Sequence, residues 1–253
     1  MRVPERDTVL VIAHRGSSGT APENTMAAFR EAAASGADMI ELDVRLTRDF
    51  EPVVVHDRTF RRTAGARLRV WEANLADIRR LDAGGWFAPR FRGEPVPTLR
   101  EVLAWLPEAL RLNIEVKTDG DPRPADVTAE ACVAAIAERP AGRDLLVSSF
   151  DSRLLRHLGR LLPGLTLGAL YVPLRDARHA PSAVARASCC RVFICSRVQL
   201  RRRMAPDLHR RGIMLFCYTV NDHGHLTRAI ARGVDGVITD YPARLRRLLA
   251  TGS

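Results

Sequence analysis

Short apolar runs rich in β-branched residues recur along the chain, and most are separated by stretches whose apolar positions return with a helical period. That alternation predicts a parallel α/β fold: strands covered on both faces read as near-continuous apolar runs, and each crossover needs a helix. Strands are expected at 8–14, 38–44, 52–56, 111–117, 145–150, 166–172, 191–195, 213–220 and 235–240, and helices at 23–35, 124–138, 152–162, 204–212 and 225–233. These nine strands compete for the eight places of a (β/α)8 TIM barrel, so one is surplus, and the pattern does not say which. Two irregularities break the alternation. Residues 45–51 leave no room for a helix, and residues 57–107 form a long excursion rich in Arg, Gly, Pro and Trp. An excursion of that length at one end of a barrel shapes the active-site mouth. The chain, residues 1–253, is therefore read as one barrel domain with a small inserted subdomain at about 57–107.

Within a strand, alternate residues share a face. Glu41 and Asp43 point one way while Ile40, Leu42 and Val44 point the other; Glu115 and Lys117 likewise oppose Ile114 and Val116. Two strands that should be buried on both faces thus carry polar pairs near their C-terminal ends. Three converging carboxylates repel one another and are driven to protonate unless a cation sits among them. All-oxygen ligation suits Mg²⁺ or Ca²⁺ better than zinc. The competing reading, pairing with the abundant arginines, is set aside because barrel strands collect catalytic groups at their C-terminal rim. His14 and His56 each follow an apolar run at such an end and form a candidate acid/base pair. Arg15 offers a planar fork for phosphate oxygens, and Lys117 a point charge beside the proposed cation. Together these groups describe a site for cleaving a phosphate ester.

Charge sharpens the case for Lys117. The chain has 39 Lys plus Arg against 29 Asp plus Glu, a net charge of +10, and Lys117 is its single lysine. On a solvated surface the two cations do similar work, whereas a site needing a compact charge distinguishes them. The arginines are spread along the chain, so nucleic acid is not expected as a partner, although anionic substrates would be attracted. The odd cysteine count of five and the absence of CxxC point to reduced core thiols. No apolar run approaches the roughly 18 residues of a membrane span, so no integral membrane association is expected. The opening MRVPERDTVLVIAHRG lacks the apolar core and cleavage site of a signal peptide, which reads as an opening strand in a cytoplasmic protein.

The stretches HRGSSGTAPENTMAAFREAAASGADMIELDVRLTRD, PVVVHDRTFRRTAG, VPTLREVL, NIEVK, VSSF, YTVND and GVDGVITDYP occur in this order between about residues 9 and 248. In that combination the chain resembles the glycerophosphodiester phosphodiesterases. The resemblance implies a TIM barrel that hydrolyses a small-molecule glycerophosphodiester to glycerol 3-phosphate and an alcohol. It implies His14 and His56 as acid and base, Glu41, Asp43 and Glu115 as ligands of one Mg²⁺ or Ca²⁺, and Arg15 and Lys117 as phosphate binders. Attack by a neighbouring glycerol hydroxyl and attack by water both remain open. Tyr218 stands where the family usually has Trp, bordering the substrate, and Phe50 replaces a common glycine, so that turn is expected to take another shape. A lysophospholipase D and a non-catalytic phosphate- or nucleic-acid-binding barrel are the rival readings. Glu23 and Asn24 are expected to help start the first helix, with Asn24 near the site, and His223 and His225 to be capping or surface residues.

Overall fold

The computed structural model describes residues 9–138 and 144–251. Residues 1–8, including Thr8 at the expected start of the first strand, lie outside the described residues. Nine strands form among the described residues: β1 (Leu10–His14), β2 (Met39–Leu46), β3 (Pro52–Val54), β4 (Arg111–Val116), β5 (Leu145–Ser149), β6 (Thr166–Leu170), β7 (Val192–Ser196), β8 (Met214–Tyr218) and β9 (Gly236–Thr239). All but β3 pair in parallel, and β1 bonds both β2 and β9, so the sheet closes into an eight-stranded barrel. This is the (β/α)8 fold. The surplus strand is β3. It runs antiparallel to the end of β2, with Val54 opposite Val44 and Pro52 opposite Leu46. The cause is chain length: residues 47–51 can turn a hairpin, while a parallel crossover needs a dozen or more residues.

Strand alternation sorts the core into two layers. Ile12, Met39, Leu146, Ile194, Phe216 and Ile238 fill the barrel interior. Their neighbours one residue along, such as Val11, Ile40, Val147 and Val237, face the surrounding helices. Each such side chain contributes about 1.5–3 kcal/mol on burial. Those helices include the five expected, as Met26–Ala34, Ala125–Ala137, Ser152–Leu161, Met204–His209 and His223–Ile230, together with Leu99–Trp105, Pro181–Arg186 and Pro242–Ala250. The Leu99–Trp105 helix closes the β2 to β4 connection, seating Leu99, Val102 and Leu103 in the outer layer. It begins with a capping box in which Thr98 and Glu101 satisfy each other's backbone N–H. The rest of the excursion gathers its own apolar cluster around Val53, Phe60, Val70, Ile78 and Val96.

Two local expectations are corrected. The Met26–Ala34 helix is capped by Thr25, whose side chain accepts from the Ala28 N–H. Glu23 and Asn24 are thereby left to other work. The turn at Phe50 keeps the left-handed conformation that a glycine would favour, with φ +62°. A true glycine requirement does occur at Gly16, where φ is +81° and an added Cβ would lie 2.7 Å from Ala28. That close approach fixes the HRG turn against the first helix. The cysteines are all free, with Cys189 exposed and the other four buried. No helix among the described residues is long and apolar enough to cross a membrane.

Candidate active site

The same alternation that fills the barrel with Ile12 and Met39 turns His14, Glu41, Asp43 and Glu115 inward at the C-terminal ends of β1, β2 and β4. Register then places them side by side: His14 pairs with Glu41 across β1 and β2, and Asp43 with Glu115 across β2 and β4. One oxygen from each of the three carboxylates falls within 4.8 Å of the others. Lys117, just beyond β4, sets its Nζ 2.9 Å from Asp43 Oδ1 and also bonds Glu115. Arg15 takes a left-handed φ of +55° immediately after β1. In that conformation its backbone N–H donates to Glu41 Oε2 at 3.0 Å, and its guanidinium meets Asp43 Oδ2 at 3.1 Å and Glu23 Oε1 at 2.8 Å. Asn24, also left-handed at φ +57°, holds Asp43 twice, donating to Oδ2 at 2.9 Å and accepting from its backbone N–H at 3.2 Å. Two non-glycine residues in this sparsely populated region flank one carboxylate, which is where strain collects at functional sites.

The two histidines arrive by different routes. His14 ends β1, and its Nδ1 contacts Asp240 Oδ1 at 2.6 Å; Asp240 in turn accepts from Ser18 Oγ at 3.0 Å and Asn221 Nδ2 at 2.6 Å. His56 lies two residues past β3, so its expected place at the end of a barrel strand is corrected: the hairpin folds it back over the rim. Buried Arg45 fixes it there by donating from Nε to the His56 carbonyl at 2.8 Å. The His56 Nδ1 contacts Asp57 Oδ1 at 2.7 Å, and Arg62 Nε donates to Asp57 Oδ2 at 2.8 Å. Arg62 also grips Glu23 at 2.5 and 2.7 Å, the same carboxylate that holds Arg15. One arginine of the excursion therefore steadies both sides of the site.

Burial and neighbours displace the titrations in opposite senses. Burial works against a charged His14, yet the Asp240 hydrogen bond and the Glu41 charge outweigh it, and its pKa is raised above 6.5. Burial also works against a charged His56, and there burial with the Arg15 and Lys117 charges outweighs Asp43 and Asp57, leaving its pKa below 6.5. Glu41 is pushed up to about 8 by burial and by the Asp43 charge. Glu115 is raised by burial and by Asp43 despite Lys117, whereas Asp43 is held down against burial by Lys117 and Arg15. Lys117 stays cationic because Asp43 and Glu115 overcome its burial. Three carboxylates, two of them raised by burial and by the Asp43 charge, form an oxygen-rich donor set that a hard divalent cation would relieve, so the residues fit such an ion.

His14, Arg15, Glu41, His56, Glu115, Lys117 and Tyr218 line one cavity of about 210 Å³, with Leu170, Ile194 and Ile238 at its apolar base. Asp43 lies behind that wall, its side chain 2% exposed. All eight residues singled out in the sequence are thus brought together. Asp57, Arg62, Asn221 and Asp240, which also reach the site, were not singled out, and Glu23 was expected only as a helix-start group. Asp57 adjoins His56 and Asp240 ends the last barrel strand, so the rim rule could have found both; Arg62 carries no local signal. His225 sits in the first turn of its helix on the N-cap Asp222, as expected of a surface residue.

Residues 14–244 match the glycerophosphoryl diester phosphodiesterase family. The chain belongs to that family. As a member it is a phosphoric diester hydrolase of the glycerophosphodiester class. A glycerophosphodiester phosphodiesterase of Caldanaerobacter subterraneus is 37% identical over 245 residues, covering 96% of this chain and 98% of its own. The solved structure of an Oleispira antarctica phosphodiesterase in complex with the product sn-glycerol-3-phosphate superposes with a TM-score of 0.88 at 29% identity, covering 95% of this chain and 96% of its own. A human lysophospholipase D is 27% identical over 270 residues, covering 94% of this chain and 85% of its own.

Proposed function

We propose that the chain hydrolyses water-soluble glycerophosphodiesters, such as glycerophosphocholine or glycerophosphoethanolamine, to sn-glycerol 3-phosphate and an alcohol, with His56 as general base and His14 as general acid. The observation that carries the assignment is the pair of imidazoles lining one cavity, each with its Nδ1 on a carboxylate, and their pKa directions divide the roles between them. A base must be neutral and an acid protonated at the working pH, and environments that split a pair of titrations divide those roles. Each ring rests its Nδ1 on a carboxylate, which favours the tautomer with the proton on Nδ1 and leaves Nε2 for the substrate. His56 takes the proton of the attacking hydroxyl, whether water or the neighbouring glycerol oxygen. His14 returns a proton to the departing alkoxide. Arg15 and Lys117 oppose the charge that builds on the phosphoryl oxygens.

Glu41, Asp43 and Glu115 would hold the divalent cation, which when bound supplies Lewis-acid polarisation of a phosphoryl oxygen. The bundle of cations around one small cavity suits a doubly substituted phosphate in the sense of two ester arms and one negative charge. The test measures glycerol 3-phosphate released from a panel of glycerophosphodiesters, with EDTA and with Mg²⁺ or Ca²⁺ restored. The expected outcome is release that chelation abolishes and one of the two ions recovers; release that persists undiminished in EDTA would remove the cation from the scheme. A monoacyl lipid is the second reading. The aromatic face of Trp86, Phe87 and Phe91, with Trp86 43% exposed, is what favours it, and lysolipids in the same panel decide it.

A further inference from the structure

A phosphodiester has two arms, and the catalytic cavity has room for one. Its volume of about 210 Å³ falls below the usual range of ligand pockets, roughly 300–1,000 Å³. A groove of about 570 Å³ adjoins it, sharing His56, Lys117 and Phe150 as its near wall. The second arm, the alcohol that departs, has this groove to occupy.

The groove's charges are unequal. Arg45, Lys117, Arg153 and Arg175 line it against Asp119 and Asp151. Both carboxylates are engaged. Asp119 takes Arg45 at 2.9 Å and Arg58 at 3.0 Å, while Asp151 accepts from the Arg153 N–H at 2.8 Å and from Thr118 Oγ1 at 3.1 Å. Arg175 is held by Asp176 at 2.6 Å. The Arg153 guanidinium alone among the groove's arginines has no hydrogen bond or ion pair within the described residues. An ammonium headgroup would find one aromatic ring, Phe150, with Lys117 Nζ already 5.9 Å from its centroid, and no unpaired carboxylate. An anionic headgroup would find an unspent cation.

We propose that the groove binds the leaving alcohol and that Arg153 selects alcohols carrying a further negative charge over those carrying an ammonium. The proposal rests on the diesterase reading above and narrows its substrate class. Two opposite charges about 4 Å apart in water attract by about 1 kcal/mol, roughly a fivefold effect, which is the scale that applies to the exposed Arg153.

The test compares kcat/KM of the full chain for glycerophosphoglycerol phosphate, glycerophosphoglycerol and glycerophosphocholine, whose alcohols are anionic, neutral and cationic. Wild type should rank them in that order, with the first and last about tenfold or more apart. Arg153→Glu should cut the anionic-to-cationic ratio by about tenfold, and Arg153→Lys should preserve most of it. Position 153 lies in the first turn of the Ser152–Leu161 helix, where a carboxylate is well tolerated, so the Glu variant should fold. Equal turnover of all three probes, or a ratio that Arg153→Glu leaves unmoved, overturns the proposal while the diesterase reading stands. Turnover of none of them overturns both.

Discussion

His14 and His56 make the same contact, ring Nδ1 on a carboxylate, and end up on opposite sides of 6.5. His14 is a barrel residue throughout: β1 carries it, the end of β9 supplies Asp240, and the nearest strand neighbour is the carboxylate Glu41. His56 follows β3 just before the excursion, reaches the site over a hairpin, and lies among Asp43, Arg15 and Lys117. On the proposed roles, the carboxylate partner orients each ring, while burial together with the surrounding charges sets the direction in which each titration moves. On the proposed assignment, the closed barrel holds the acid, and the hairpin that follows β2 delivers the base.

Removing either ring breaks the comparison outright. His14→Ala and His56→Ala should each lower kcat by about 10²- to 10⁴-fold, the usual worth of a positioned acid or base. Both side chains are partly exposed, so thermal unfolding followed by circular dichroism should change little. Full activity in either variant would end the acid/base assignment.

Next in size is the arginine that ties the excursion to the site. Arg62→Ala frees Asp57, and through it His56, and also frees Glu23 and Arg15. Loss of such an orienting contact costs about 10- to 100-fold in activity. The drop should fall on kcat, and Arg62→Lys should recover only part of it, because an ammonium cannot bridge two carboxylates with a fork. No equivalent residue steadies His14, whose Asp240 is held by Ser18 and Asn221 on the barrel itself.

The acid and base can be separated by pH. His56 must be neutral, so activity falls as pH drops through a pKa below 6.5; His14 must be protonated, so activity falls as pH rises through a pKa above 6.5. The kcat/KM profile should therefore be a bell straddling that value. Asp240→Asn removes the negative charge and leaves only a neutral acceptor for the His14 ring, so the alkaline limb should move to lower pH while the acid limb stays. If the acid limb moved instead, the two roles would have to be exchanged.

Much of this was readable from alternation alone. In β2 and β4 the face rule placed Glu41, Asp43, Glu115 and Lys117 correctly, because a register of parallel strands converts sequence parity directly into one inward-facing set. What parity could not supply was the identity of the surplus strand. PVVVH is as apolar as any barrel strand, and only the length of the link before it reveals a hairpin. The Leu99–Trp105 helix is too short to show a period, although its Thr98 and Glu101 spell a capping box. Arg62 was invisible for a different reason: its importance lies in two carboxylates, Glu23 and Asp57, that meet only in the folded chain.

Phe50 offers the smallest effect and the finest distinction. Its left-handed φ of +62° resembles that of Arg15 at +55°, yet Phe50 lies outside the cavity, so its conformation serves structure alone. An L-residue in that region costs about 1–2 kcal/mol. Offsetting it, the Phe50 ring covers the Arg123 guanidinium at 5.6 Å, worth about 0.5–1 kcal/mol at an exposed site. That guanidinium donates to the Leu46 and Thr47 carbonyls at 2.7 and 2.6 Å, so the ring shields the clamp that ends β2. Phe50→Ala keeps the backbone cost and loses the ring, and should destabilise by about 0.5–1 kcal/mol. Phe50→Gly loses the ring and the backbone cost together, and should lie within about 1 kcal/mol of wild type after the added chain entropy of glycine. Urea unfolding should thus order the variants with Gly above Ala. Equal stabilities would mean that the turn relaxes to a right-handed form once the ring is gone, and that Arg123 and the ring, rather than the hairpin's geometry, impose the left-handed turn.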